Sequence, residues 1–338
     1  MTGSIAILGA GAWGTALGVH LARRGERPVR LFARDAAQAT AMHATRVNAR
    51  YLPGIALPSA LVITARLDDV GDSTLLIAAT PVAALPDLAA ALARVAPDVP
   101  LFWLSKGLLA IPSTLAAPAG AALAHQVIAP RWRAPVGIIS GPSFAEEVAR
   151  GLPTALTVAA TDPAVASMVA AALRAETLRT YVSTDLPGVE IGGAVKNVLA
   201  IAAGLCDGLG FGHNARAALV TRGLAETMRL AEAMGGQRET VMGLAGLGDL
   251  VLTCTGDLSR NRRVGLGLAR GDALATVLES LGHVAEGVLA APSVRALARH
   301  HAVDMPIVEA VDRVLHEGLA PGAAVVELLK REPRAEQS

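Results

Sequence analysis

The stretch Gly9-Ala10-Gly11-Ala12-Trp13-Gly14, placed directly after the apolar run Ile5-Ala6-Ile7-Leu8, constrains this chain more than any other feature. The spacing asks a strand to turn at once into a helix. Gly9 permits the tight turn, Gly11 lets phosphate approach the backbone, and Gly14 lets the helix pack closely on its strand. GxGxxG alone is a weak signal, but the setting is that of a βαβ unit: the helix-like Thr15 to Arg24 follows, and then a second strand-like run, Val29-Arg30-Leu31-Phe32. A dinucleotide pyrophosphate on the first helix's N-terminus is therefore expected.

With 338 residues and 52% hydrophobic content, the chain can bury a large core and should divide into two domains. The formal net charge of +1, without a basic stripe, argues against nucleic acid. The first residues lack the pattern of a signal peptide, and Pro, Gly or charged residues interrupt the long apolar stretches, so no membrane span and a cytoplasmic protein are expected. Cys206 and Cys254 are read as reduced thiols, and the histidines show no metal-ligand spacing, so no metal is expected.

Strand-like runs recur through the first half: Leu61-Val62-Ile63, Leu75 to Ala78, Leu101 to Leu104, Val136 to Ile139 and Ala155 to Val158. Helix-like segments such as Leu85 to Val95 and Pro163 to Arg174 separate several of them. This alternation predicts an α/β class chain with an N-terminal Rossmann-type doubly wound sheet, which binds ligands at the carboxyl ends of its strands. Ala79-Thr80-Pro81, Ser105-Lys106-Gly107 and Ser140-Gly141-Pro142-Ser143-Phe144 fall at such ends. After Ser183-Thr184-Asp185, an N-cap cluster with Pro187 close behind, the pattern becomes all-α, with helices over 189–204, 215–234, 261–270, 289–300 and 306–317. The expected division is a dinucleotide-binding domain at 1–185, a helical substrate-binding domain at 186–330, and a frayed tail at 331–338.

Lys196 stands in Gly192-Gly193-Ala194-Val195-Lys196-Asn197-Val198, a helix otherwise apolar. A lysine at a helix edge ordinarily snorkels to water, but a buried one has a lowered pKa and can exchange a proton near neutrality. The paired glycines would give a ligand access to the backbone. Ser259-Arg260-Asn261, downstream of Gly246-Leu247-Gly248-Asp249 and Thr253-Cys254-Thr255, concentrates donors for an anion; the alternative is a solvated helix cap. Asp249 is placed to bond a substrate hydroxyl or orient a lysine, or else to form a turn. Lys106 and Ser143 sit at strand ends facing the crevice, Lys106 as a ligand contact or else a lysine merely facing solvent, and Ser143 as a binding hydroxyl rather than an acyl-transfer nucleophile.

Read in order, these segments resemble the soluble bacterial NAD(P)-dependent glycerol-3-phosphate dehydrogenases. The resemblance extends through Tyr51-Leu52-Pro53-Gly54, Gly141-Pro142-Ser143-Phe144-Ala145, Ala285-Glu286-Gly287 and Met305-Pro306-Ile307, and so covers nearly the whole chain. It implies reduction of dihydroxyacetone phosphate to sn-glycerol 3-phosphate, for glycerophospholipid synthesis, with Lys196 as acid/base residue. It further implies substrate contacts from Lys106, Gly141, Ser143, Lys196, Asp249, Ser259, Arg260 and Asn261. The cofactor would be lined by Gly9, Gly11, Ala12, Trp13, Gly14, Arg34, Lys106, Ala145, Arg260, Val284 and Glu286. Ala12 departs from the pattern, since many members carry serine there; a side-chain contact is lost while the backbone donors remain.

Two other readings are carried beside it: another β-hydroxyacid-type dehydrogenase, whose substrate would carry a carboxylate, and a non-catalytic dinucleotide sensor. Either NAD or NADP is expected as cofactor, with NADPH preferred, because Arg34 comes first after the second strand and suits a 2′-phosphate. The alternative has Asp35 take the ribose. The partner is a small-molecule substrate, and the oligomeric state stays open, a homodimer among the options.

Overall fold

The computed structural model describes residues 3–112, 120–282 and 284–330; the expected tail, 331–338, lies outside the described residues. The main sheet contains β1 (Ser4–Leu8), β2 (Val29–Phe32), β3 (Leu61–Thr64), β4 (Ser73–Ala78), β5 (Leu101–Trp103), β6 (Val136–Ser140), β7 (Thr154–Ala160) and β8 (Leu178–Ser183). Across the sheet their order is β3-β2-β1-β4-β5-β6-β7-β8. Strands β3 to β6 are parallel, β7 runs antiparallel to β6, and β8 is parallel to β7. Because β1 pairs with both β2 and β4, strand order reverses there, which opens a crevice beyond their carboxyl ends.

Every residue of β1 is buried, which explains the apolar run Ile5 to Leu8 that follows its first residue, Ser4. Ile5 and Ile7 pack toward Leu17 of α1 (Ala12–Arg24), Met42 of α2 (Ala36–Thr45) and Val169. Ala6 and Leu8 face the opposite layer, with Leu85 and Leu92 of α3 (Leu85–Leu92) and Trp132. Successive side chains thus enter different cores, as the strand's period of two requires. Between β6 and β7 lies only the short α4 (Ala145–Arg150), while α5 (Pro163–Leu173) joins β7 to β8. Strand β8 is less legible in sequence: Arg179, Tyr181 and Val182 are exposed on this edge strand, so no long apolar run marks it.

Helix α6 (Leu186–Gly208) begins with Asp185 as N-cap, whose carboxylate accepts the Gly188 N–H at 2.9 Å, and with Pro187 in its first turn. Its length and hydropathy would let it cross a membrane, an apolar run longer than the sequence reading allowed. Here it is the buried axis of the helical layer, apolar all round because helices surround it. Around it lie α7 (Gly212–Ala233), α8 (Asp249–Thr255), α9 (Arg260–Ala269), α10 (Leu274–Leu281), α11 (Glu286–His300), α12 (Pro306–His316) and α13 (Pro321–Leu329). α8, α10 and α13 are additions to the helices expected from sequence.

Candidate active site

Gly9 adopts φ +122°, and a Cβ there would stand 2.7 Å from the Ala79 carbonyl oxygen, so the turn from β1 needs glycine. A Cβ at Gly14 would overlap the Gly9 carbonyl, which makes glycine the condition for α1 to sit on its strand. At Gly11 a Cβ would meet nothing within 4 Å. Gly11 caps α1 without a side-chain bond, and no acidic residue occupies the first turn. No side chain caps the N–H groups of that turn, and with room beside Gly11 this cradle fits a dinucleotide pyrophosphate.

Across the crevice, Lys196 is 8% exposed and donates from Nζ to Asp249 Oδ1 at 2.6 Å and to Thr253 Oγ1 at 2.9 Å. Thr253 in turn donates to the Asp249 carbonyl at 2.6 Å, since the two residues stand four apart on α8. Asp249 is 1% exposed, and its Oδ2 accepts from Lys106 Nζ at 2.7 Å. Lys106 also donates to the Gly141 carbonyl at 2.9 Å, as does the Ser143 hydroxyl. Gly141 has φ +130°, a backbone state favouring glycine. One carboxylate thus bridges two lysines, one beyond the end of β5 and one on α6. Burial lowers the Lys196 pKa to about 8, with Lys106 adding to the fall and Asp249 opposing it. Burial alone would raise the Asp249 pKa, yet Lys106 and Lys196 hold it below its ordinary value.

A chain of amides extends from this cluster. Asn197 Nδ2 donates to the Lys106 carbonyl at 2.8 Å, Asn261 Nδ2 to Asn197 Oδ1 at 2.9 Å, and the Gly287 N–H to Asn261 Oδ1 at 3.0 Å. It joins the end of β5, α6, α9 and the start of α11. Ser259 is the N-cap of α9: its Oγ accepts the Arg262 N–H at 3.2 Å, and the residue is 3% exposed. The cap alternative thus describes the bond Ser259 makes here. Arg260, next to it, is exposed, with the Glu286 carboxylate as its electrostatic neighbour. Burial raises the Glu286 pKa, against the pull of Arg260 and the Lys106 N–H.

The structure therefore gathers Lys106, Gly141, Ser143, Lys196, Asp249 and Asn261 by direct bonds, and adds Thr253 and Asn197. Trp13 joins through its indole N–H, which donates to the Ser143 carbonyl at 3.1 Å and ties the glycine turn to the β6 end. Ala145 follows that turn at the start of α4. Ala12 opens α1 behind Gly11. Arg34 and Val284 are exposed and make none of these bonds.

One expectation is corrected. Gly192 and Gly193 give access to other parts of the protein rather than to a ligand. A Cβ at Gly192 would stand 3.0 Å from the Ala245 carbonyl oxygen, and one at Gly193 would stand 3.3 Å from Ser140 Oγ and 3.5 Å from Lys106 Cβ. The pair lets α6 lie close to the β5 and β6 ends, which brings Lys196 to Lys106. Both cysteines are free, and burial pushes the Cys254 thiol up to about 12, leaving it inert. Among the described residues no group of three or more His, Cys, Asp or Glu side chains could hold a metal ion.

Sequence and structure comparisons fit this geometry. The model for the N-terminus of NAD-dependent glycerol-3-phosphate dehydrogenase matches residues 4–166, and that for the C-terminus matches residues 185–326. A glycerol-3-phosphate dehydrogenase (NAD(P)+) of Aromatoleum aromaticum is 53% identical over 336 residues, 98% of this chain and 99% of its own length. That of Methylibium petroleiphilum is 54% identical, with 98% of each chain covered. The crystal structure of glycerol-3-phosphate dehydrogenase from Coxiella burnetii superposes with a TM-score of 0.91 at 42% identity, covering 98% of this chain and 99% of that one.

Proposed function

Because this chain belongs to the NAD-dependent glycerol-3-phosphate dehydrogenase family, we propose that Lys196 is the acid of the ketone reduction and that Asp249 and Lys106 hold it in place. The chain reduces dihydroxyacetone phosphate to sn-glycerol 3-phosphate, with NAD(P)H as reductant. Its product is the phosphorylated glycerol unit of glycerophospholipids.

A nicotinamide held in this crevice would supply the hydride for C2 of the ketone. The first turn of α1, entered through Gly9 and Gly11, would hold the pyrophosphate, with Trp13, Ala145 and Glu286 beside the dinucleotide. Lys196 gives a proton to the ketone oxygen as the C=O electron pair moves onto it, and is left neutral. An ammonium has three donors. Two of those on Lys196 are taken by Asp249 and Thr253, and the third has no partner among the described residues. That free donor on a buried, hydrogen-bonded ammonium is the observation carrying the proposal. A pKa near 8 suits the task, because the group stays protonated at neutral pH yet releases its proton readily.

Asp249 fixes the ammonium by its carboxylate and, through Lys106, registers α8 against the end of β5. Arg260 and Asn261, at the start of α9, would hold the substrate phosphate, and Ser143 a substrate hydroxyl. Arg34 would pair with the 2′-phosphate of NADP and favour NADPH. In support, Asp35 turns to its own helix, where Oδ1 accepts from the Ala37 and Gln38 N–H groups at 2.9 and 3.3 Å. The same proposal places the enzyme in the cytoplasm, as a homodimer that sedimentation would detect.

The test is oxidation of NADH and NADPH by the purified protein with dihydroxyacetone phosphate beside short 2-keto acids. Turnover of the phosphorylated ketone alone is expected; preference for a keto acid would replace the phosphate site by a carboxylate site.

A further inference from the structure

Arg260 and Asn261 share the first turn of α9 with a third polar side chain that points elsewhere. Successive helical residues are about 100° apart, so Arg262 projects roughly opposite to Arg260. Its Nε and Nη2 both donate to Asp207 Oδ2, at 2.9 and 2.8 Å, and its Nη1 donates to Asp257 Oδ1 at 2.9 Å. Arg262 and Asp207 are each 13% exposed. Asp207 belongs to the last turn of α6, the helix of Lys196, whereas Asp257 lies in the loop before α9. Arg216 of α7 completes the cluster by donating to both Asp207 oxygens at 3.1 and 2.9 Å.

The two helices are already in backbone contact beside this clamp. A Cβ at Gly204 of α6 would overlap the Arg262 carbonyl, and one at Gly265 of α9 would overlap the Ile201 carbonyl. Glycine contacts of this kind set a close distance but resist rotation weakly, because no side chain interlocks there. Beside the packing of buried Val264, polar side chains fix the rotation of α9 at two places, by the Asn261 to Asn197 amide bond and by the Arg262 to Asp207 fork.

We propose that Arg262 is a positioning residue: by bridging Asp207 on α6 and Asp257 before α9, it fixes the rotation at which α9 presents Arg260 and Asn261 to the substrate phosphate. The inference rests on the reading that Arg260 and Asn261 hold that phosphate. It separates Arg262 from the arginine beside it: Arg260 touches substrate, and Arg262 acts through the helix.

Arg262→Ala, Arg262→Lys, Asp207→Asn and the double variant Arg262→Ala/Asp207→Asn are compared in the full-length enzyme, with dihydroxyacetone phosphate and unphosphorylated dihydroxyacetone as substrates. Arg262→Ala and Asp207→Asn should each raise KM for the phosphorylated ketone by about tenfold, the equivalent of one charge-assisted hydrogen bond. kcat should change less than about threefold, and kcat/KM for dihydroxyacetone should hold within about twofold. The double variant should lose little more than the worse single, because both break the same Arg262 to Asp207 bridge. Arg262→Lys, which keeps the charge but not the fork, should fall between. Equal losses for both substrates would make the clamp merely structural and overturn the proposal. Loss in Arg262→Ala with none in Asp207→Asn would overturn it too, by making Arg262 a direct ligand. Arg260→Ala serves as control: if it loses equally with both substrates, the phosphate reading itself fails, whereas a phosphate-selective loss there without one in Arg262→Ala defeats only the positioning role.

Discussion

Replacing Asp249 by asparagine should move the pH dependence of the reaction rather than only lower its rate. Burial drives the Lys196 pKa down to about 8, and the Asp249 carboxylate, 2.6 Å away, is the main group holding it from falling further, with Glu286 adding to it. A hydrogen bond to a charged group is worth about 1.5–3 kcal/mol, and about 1.4 kcal/mol corresponds to a tenfold change in proton affinity. Loss of the carboxylate charge therefore shifts the proton equilibrium of Lys196 acid-ward by about one to two pH units. With Lys196 as the proposed acid, the protonated lysine would be the competent form in the reduction direction, so kcat/KM should fall as pH rises through about 8 in the wild-type enzyme. In Asp249→Asn the same descending limb should appear about one to two pH units lower. Alcohol oxidation needs the neutral lysine, and its ascending limb should move the same way. Initial rates from pH 6 to 10 with saturating reduced cofactor supply the assay. A descending limb that keeps its place while the plateau drops would refute the electrostatic coupling.

Three further outcomes follow from named groups. Arg260→Ala should cost about 2–5 kcal/mol in kcat/KM for dihydroxyacetone phosphate, and much less for dihydroxyacetone, as steady-state kinetics with both substrates would show. Arg34→Ala should raise KM for NADPH about tenfold or more and leave KM for NADH nearly unchanged; equal weakening would make Arg34 a general adenosine contact. Glu226 is 2% exposed and accepts the Ile307 and Val308 N–H groups at 2.8 and 3.3 Å, while burial pushes its pKa up to about 7. A carboxyl whose pKa is raised on folding contributes stability at pH below the unfolded value, lost as pH climbs through about 7. The contribution is about 3 kcal/mol, so melting temperatures of Glu226→Gln between pH 5 and 8 should be flatter than those of the wild type.

What could be read from the sequence was local. The glycine motif announced its turn because Gly9 needs a positive φ and Gly14 answers to the Gly9 carbonyl five residues before it, and Lys196 stood out because a charge in an apolar helix needs a reason. Asp185 and Ser259 were legible as caps for the same reason, since a cap depends on residues three positions away. The part of Thr253 was hidden, because its place beside Lys196 requires 249–255 to be a helix, and the glycine-rich lead-in conceals that. Asn197 was visible as a neighbour of Lys196, but its bonds to Lys106 and Asn261 span three elements. Gly192 and Gly193 misled for a related reason: a small residue signals close approach without saying what approaches. The edge strand β8 escaped because its exposed face carries arginine and tyrosine.

The most direct test of the account is the turnover of Lys196→Ala, measured together with its dissociation constant for the reduced cofactor. Positioned proton transfer contributes about 10²–10⁴ in rate, so kcat for dihydroxyacetone phosphate should fall by about that factor while the cofactor binds nearly as before. A variant that turns over at a rate near the wild type's would contradict the assignment of Lys196 as the acid.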